Sequence, residues 1–381
     1  MFRSLRTKLI RNRIINGVDS KPLCVQNPCF ILLHHVKVRF VSSSSSFVVC
    51  YLMNSCGLTE KQALSASKKL NFKTSSKPDT VLTFFQDYGF TKPDISKIIT
   101  REPVILSLDA RKTLKPKLDY FNSKEISRLE IIKLLSTNST VLTRSLQNHI
   151  IPFFNFIKNI VGTDRYTCIV FRRTMFPPVG FIEKMKLNLQ VLRDEGVPQS
   201  KIVKFLISHP RSLCTGKFKD IIQEIKGMGF DPHKYAFTSA IHALSAMSKS
   251  TWEMKLNVFR KWGWSDSQIQ NAFIFHPQCM KHSEKMISAK MDYLVNQMGI
   301  SSPLIARCPV ILNYSLEKRI IPRCSFYQSL VSKGLIEKDK IRISSLLCIT
   351  EKSFLDKYVI KYQQEAPELL KVKELSGGIV D

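Results

Sequence analysis

Residues 186–213 read KLNLQVLRDEGVPQSKIVKFLISHPRSL, and they spell two short apolar helices. Leu187, Val191 and Leu192 recur at helical spacing before Gly196, and Ile202, Val203, Phe205 and Leu206 recur before Pro210. Each run is shorter than the roughly 12 to 15 residues that an isolated helix needs in water, so each must bury its stripe against a neighbour. The neighbours are copies of the same unit. Gly196 and Pro210 stand 14 apart, as do Gly89 and Pro103, and Gly263 and Pro277. The same interval pairs Gly229 with Ala243 and Gly334 with Cys348, and more loosely Glu125 with Ser139 and Ile160 with Thr174; Gly299 and Pro309 form a copy shortened by four. The closing positions 103, 139, 174, 210, 243, 277, 309 and 348 are separated by 32 to 39 residues, the period of a helical repeat array.

Each column of the repeat has a physical reason. Glycine past a helix C-terminus takes the left-handed conformation at least cost. N-capping residues follow: Ser265 with Gln268 and Thr91 with Asp94 have capping-box spacing, and Ser302 before Pro303 fits an N-cap with proline at the first helical position. The closing proline ends the second helix. Three positions later an apolar residue returns, as Leu106, Leu142, Leu213, Met280 and Leu312, which anchors a short third helix or turn. The expected fold is therefore all-α: a curved α-solenoid, or superhelical array, of about eight to nine short repeats of 32–39 residues.

Residues 1–41 carry eight basic side chains against one acid, Asp19, and Ser42 to Ser46 follow. This Arg-rich, Ser-rich and acid-poor composition is that of an organelle transit peptide. The Arg39–Phe40 step before small residues favours a mitochondrial over a chloroplast address, and a disordered basic tail is the plain alternative. The expected organisation is a transit peptide and serine linker over 1–47, the repeat array over 48–370 and a tail over 371–381. Residues 48–76, with Gly57, Thr59 and Gln62, read as a degenerate N-terminal capping repeat. The apolar stretches Phe30 to Leu33 and Phe47 to Met53 fall short of the roughly 18 residues of a membrane span, so no integral membrane segment is expected.

The whole chain has a formal charge of +28, and removal of 1–41 leaves +21. Residues 113–324 hold 31 basic and 15 acidic side chains, which places +16 of that excess in the middle of the array. Such a surface fits a polyanion partner, with a solubilising role as the alternative. Enzyme chemistry has no foothold: a Walker-A loop, a G-x-G-x-x-G after a strand, H-E-x-x-H and G-x-S-x-G are all lacking. The ten cysteines show no C-x-x-C pair and no companion histidine spacing, so they read as core thiols; neither metal nor cofactor is expected.

Two columns supply candidate nucleic-acid contacts. Lys117, Lys186, Lys255 and Lys290 recur in the first helix, which would set four charges on one edge, either along a phosphate backbone or as a solvated face. At the end of the second helix stand Arg101, the pair Arg172 and Arg173, His209, His242, His276 and Arg307, with Arg211 just past Pro210. The histidines read as structural, meeting free carbonyls and the negative dipole end of a helix, with a row of phosphate or RNA contacts as the alternative. One arginine of the 172–173 pair can serve its helix end, which leaves the second for phosphate.

The closing P-x-x-L in REPVILSL, SHPRSLC and RCPVILN, the LKPKLDYF and IIPFFNF starts, and G-W-S followed by AFIFHP resemble the mitochondrial transcription termination factor (mTERF) family in its plant branch, over roughly 48–370. Ala243, Ser139, Thr174 and Cys348 depart from the closing proline. The resemblance implies a solenoid of three-helix repeats that binds nucleic acid in organellar gene expression. Double-stranded DNA and regulation of transcription, including termination, head the implied roles; RNA binding in intron splicing or ribosomal RNA maturation is the alternative. A protein-binding scaffold is the reading from another class. The expected oligomeric state is a monomer.

Overall fold

The structure is a computed structural model that describes residues 43–174, 180–337, 341–362 and 364, with side chains from residue 46 on. The transit-peptide segment 1–41, Cys24, Cys29, Pro367 and the tail 371–381 lie outside the described residues.

Among the described residues nine helix pairs follow one another. They begin with α1 (Ser43–Asn54) and α2 (Glu60–Ser67), α3 (Ser76–Asp87) and α4 (Lys92–Arg101), and α5 (Lys115–Asn122) and α6 (Arg128–Thr137). Next come α7 (Ile151–Val161) and α8 (Asp164–Arg173), α9 (Phe181–Asp194) and α10 (Gln199–Ser208), and α11 (Phe218–Gly227) and α12 (Tyr235–Ser245). The last are α13 (Lys249–Lys261) and α14 (Asp266–Phe275), α15 (Glu284–Asp292) and α16 (Ser302–Arg307), and α17 (Ile321–Ser332) and α18 (Ile343–Cys348), followed by α19 (Glu351–Phe354). The described residues contain no strand. Every substantial contact between helices lies within a pair or between consecutive pairs, and from α2 to α16 each second helix packs on the next. This is a helical repeat solenoid, as expected. Helix α1 starts at Ser43, inside the serine run.

The joints show why these residues fold this way. At Gly196, with φ of +76°, the glycine N–H donates to Arg193 O at 2.9 Å and Val197 N–H to Leu192 O at 2.9 Å, the paired bonds of a Schellman turn. Thr59, Thr91 and Ser265 each form a full capping box with Gln62, Asp94 and Gln268. The closing columns become tight 3-10 turns at Pro103–Ser107, Ser139–Thr143, Pro210–Cys214, Pro277–Lys281 and Pro309–Asn313. Their anchors Leu106, Leu142, Leu213, Met280 and Leu312 have no exposed surface. The residue before each turn has left the helical region, with φ from −126° at Asn138 to −146° at His276 and ψ from 52° at His209 to 80° at His276, as the bulk of a following proline favours. Asn138 adopts the same geometry ahead of a serine because its amide donates to Phe171 O at 2.8 Å and to Thr174 O in the next repeat.

Four details differ from the spacing. Ala243 does not close its repeat: α12 runs on to Ser245, since alanine removes no backbone donor. The loosely placed Ile160 gives way to Gly162, φ +85°, which ends α7 ahead of the N-cap Thr163. Ser301 is the N-cap of α16 and Pro303 its second residue; the Ser302 hydroxyl instead donates to Trp262 O at 2.5 Å and accepts from Trp264 Nε1 at 2.9 Å, tying two repeats together. Leu187 is 67% exposed, and the buried stripe of α9 is Met185, Asn188, Leu189 and Leu192. One hydrophobic cluster runs from Val48 to Cys324 and takes in Leu347, with a smaller one around Phe326, Leu330 and Phe354 at the C-terminal end.

Candidate nucleic-acid interface

The lysine column is inside the array. Lys117, Lys255 and Lys290 are 5%, 7% and 4% exposed. Lys117 Nζ donates to Leu142 O, Lys255 Nζ to His282 O, and Lys290 Nζ to Leu312 O at 2.6 Å. Each acceptor sits at the end of a 3-10 turn, where carbonyls have no helical partner and water is excluded, so a long cationic donor from the first helix satisfies them. The position continues with Asn188, whose amide reaches Leu213 O at 2.9 Å and Thr215 O at 3.1 Å, and with Arg323, which donates to Leu346 O and Ile349 O at 2.8 Å and pairs with Glu351 at 2.7 Å. Burial pushes the Lys117 ammonium down to about 8 and lowers Lys255 and Lys290 as well.

The expected edge of four lysine charges is therefore corrected. Three of the four are interior locks, neither a phosphate track nor a solvated face. Lys186 is exposed because it belongs to a different position, two residues before Asn188; it pairs with Glu183 at 3.0 Å. The shared string MKLN in residues 185–188 and 254–257 suggests the wrong register. The distance to the glycine gives the right one, since Asn188 and Lys255 both stand eight residues before Gly196 and Gly263.

The second column forms a seam along the C-terminal ends of the second helices. Arg101 donates from Nη1 to Thr137 O, and Arg173 from Nη1 to Ile207 O at 2.8 Å, each reaching the free carbonyls of the next second helix. Arg211 returns the link, its Nε donating to Arg173 O at 2.9 Å. The His209 and His242 rings stack at 3.7 Å with 10° between planes. Lys281 Nζ donates to His242 Nε2 at 2.7 Å, so His242 carries its proton on Nδ1 and donates it to Ser212 Oγ at 3.0 Å. Asn313 bridges two more rings: its amide N–H meets His276 Nε2 at 2.6 Å and its oxygen accepts from His282 Nε2 at 2.8 Å.

These histidines are structural, as read, for a different reason. Burial first, and neighbouring positive charge second, hold His209 and His242 down to about 4, so both are neutral at pH 7 and no charge meets the helix dipole. Burial lowers His276 and His282 in the same way.

The seam remains strongly positive, because a hydrogen bond to a neutral carbonyl leaves the cation's charge in place. Arg101, Arg173, Arg211, Lys281 and Arg307 are exposed and Arg172 is half-buried. Among the described residues none of these six makes an ion pair, and Arg172 and Arg307 have no hydrogen-bond partner. The structure thus separates the 172–173 pair: Arg173 serves a helix end, and Arg172 does not. No group of three or more metal-ligating side chains occurs among the described residues.

Helix pairs joined by such a seam define a basic α-helical repeat protein. The mTERF family model matches residues 82–241 and again 239–355, more than half of the chain, and the chain belongs to that family. It is similar to three proteins of Arabidopsis thaliana. Transcription termination factor MTERF8, chloroplastic, is 22% identical over 263 residues, covering 58% of this chain and 51% of the relative. Transcription termination factor MTEF18, mitochondrial, is 22% identical over 278 residues, 71% of this chain and 46% of the relative. Transcription termination factor MTERF15, mitochondrial, is 21% identical over 350 residues, 73% and 78% of the two. The chain spans about half the length of the first two.

Proposed function

We propose that this chain is a non-enzymatic nucleic-acid-binding protein of an organelle that regulates transcription of the organelle genome, termination included, by holding double-stranded DNA. The observation that carries the proposal is the run of six cations along the second-helix ends and the 3-10 turns that follow them, none of them neutralised by a carboxylate among the described residues. Phosphate is the partner such a ridge recognises, and Arg172 and Arg307 have guanidiniums free for bidentate contacts. Arg211, with one nitrogen committed to Arg173 O, and Lys186, which must exchange Glu183, are the secondary candidates. Bound protein would obstruct a polymerase without any chemistry of its own. The relatives' names carry both organelle labels; the Arg-rich, acid-poor residues 1–41 favour the mitochondrion. No described helix is long and apolar enough to cross a membrane.

The test is a fluorescence-anisotropy titration of the purified chain with duplex DNA and with structured RNA between about 50 and 200 mM salt, where each phosphate contact on B-DNA contributes a log-log slope of about 0.9. Binding to duplex that weakens steeply with salt is the expected result. Tighter binding to RNA at every salt concentration moves the reading to RNA processing. No binding to either at about 50 mM salt, where such contacts are strong, overturns it in favour of a protein scaffold.

A further inference from the structure

Cys308 Sγ and Cys348 Sγ lie 3.8 Å apart. Cys308 caps α16 and Cys348 ends α18, so the two are one repeat, 40 residues, apart in sequence and adjacent in space. Both are half-buried free thiols. Cys308 occupies the column that at earlier joints holds Asn138 and His209, one residue before the closing position, and Cys348 stands at the closing position of the next repeat. A disulfide bond is about 2.05 Å long, so the two sulfurs must close by under about 2 Å to bond.

The surroundings make Cys348 unlike the other buried thiols. Cys308 hydrogen-bonds to it, and Arg319 and Arg323 stand beside it, anchored on Leu347 O and Ile349 O. The Cys308 bond and then the two guanidiniums, against burial, lower the pKa of the Cys348 thiol. Burial pushes Cys56, Cys168, Cys214, Cys279 and Cys324 up to about 12. The thiolate is the reactive form, and the two guanidiniums beside Cys348 favour it there over the five thiols that burial raises.

The joint is also where a cross-link matters. The main hydrophobic cluster crosses into the α18 region through Leu347, while Phe326, Leu330 and Phe354 belong to a separate small cluster. Helix α18 has only six residues and cannot hold itself by its own hydrogen bonds.

We propose that Cys308 and Cys348 are a peroxide-responsive thiol pair whose disulfide clamps the last helix pair to the array. The Cys348 thiolate attacks one oxygen of hydrogen peroxide and the O–O bond breaks, giving a sulfenic acid and, after proton uptake, water. Cys308 Sγ then attacks the sulfenic sulfur, the S–S bond forms and the sulfenic oxygen leaves as a second water. Two thiols lose two electrons and peroxide gains them. A dithiol reductant reverses the step by exchange. This inference is independent of the nucleic-acid reading.

The experiment treats the full reduced chain with equimolar hydrogen peroxide, alkylates the remaining thiols, digests it without reduction and identifies cross-linked peptides by mass spectrometry. The expected result is a Cys308–Cys348 peptide pair as the first intramolecular cross-link, a fall of two in the ten titratable thiols, and several-fold slower amide exchange over 343–359 that dithiothreitol restores. In C348S, thiol loss should be at least about tenfold slower, because the low-pKa nucleophile is gone. A first cross-link between other cysteines, oxidation of Cys348 to sulfinic acid without pairing, or unchanged exchange over 343–359 in the cross-linked protein each overturns the proposal. The peptide and exchange readouts are made on the wild-type chain, so they hold even if C348S does not fold.

Discussion

Replacing Lys117 with methionine tests whether this lysine is a lock or a phosphate contact. The side chain is 5% exposed, its Nζ donates to the buried Leu142 O, and burial lowers its pKa from 10.5 to about 8. A shift of that size corresponds to about 3 kcal/mol against the charged form in the folded state. Methionine keeps the length and the apolar stem and removes the charge, but it orphans the Leu142 carbonyl, at a cost of about 1–3 kcal/mol. At pH 7 the two effects oppose each other, and Lys117→Met should be between equal to the wild type and about 2 kcal/mol more stable. The sign reverses at high pH. The folded pKa lies below the unfolded one, so the penalty is complete below pH 8 and is relieved as pH rises toward 10.5. By pH 10 the wild type regains about 2–3 kcal/mol, its neutral amine still donating to Leu142 O, and the variant becomes the less stable of the two. Urea unfolding of both proteins at pH 7 and pH 10 measures the difference free of the other lysines, which titrate in both. A wild-type-minus-variant difference that stays constant across this window refutes the buried lock. A loss of DNA affinity in the variant at pH 7 would return Lys117 to the binding surface.

The two arginines at the end of α8 should separate cleanly. Arg173→Ala loses the bond to Ile207 O and should cost about 1 kcal/mol of stability with little effect on binding; Arg172→Ala should leave the melting temperature alone and lower the salt slope of DNA binding by about one contact. Anisotropy titrations and thermal melts of the single variants decide this, and a slope carried by Arg173 alone inverts the assignment. The stacked histidines predict an acid weakness: with folded values near 4 against 6.5 unfolded, their stability is present above pH 6.5 and lost as pH falls through 4. The double change of His209 and His242 to phenylalanine keeps the stack and removes the proton uptake, so melting curves between pH 7.5 and 4.5 should fall less than in the wild type; equal falls would place the acid sensitivity elsewhere.

Helix identity, joint chemistry and period were written locally. Gly196, Thr91 with Asp94, and Pro277 with Met280 act within a few residues of themselves, through backbone conformation, capping and a short turn, so their spacing carried the solenoid directly. The +16 excess over 113–324 was equally legible, because charge is counted without coordinates. What sequence could not distribute was the use of each cation. Whether Lys117 faces water or Leu142 O depends on where a 3-10 turn 25 residues later leaves its carbonyls, and a two-residue slip in register exchanges exposed Lys186 for buried Asn188. Arg172 and Arg173 are adjacent in the chain, yet only packing against the next repeat brings Ile207 O to one of them. Cys308 and Cys348 likewise show no motif at short range and meet because one full repeat lies between them. Helices and turns follow from neighbours in the chain, whereas an unsatisfied carbonyl or a second thiol is supplied by the next layer of the array, and the tertiary structure alone sets that distance.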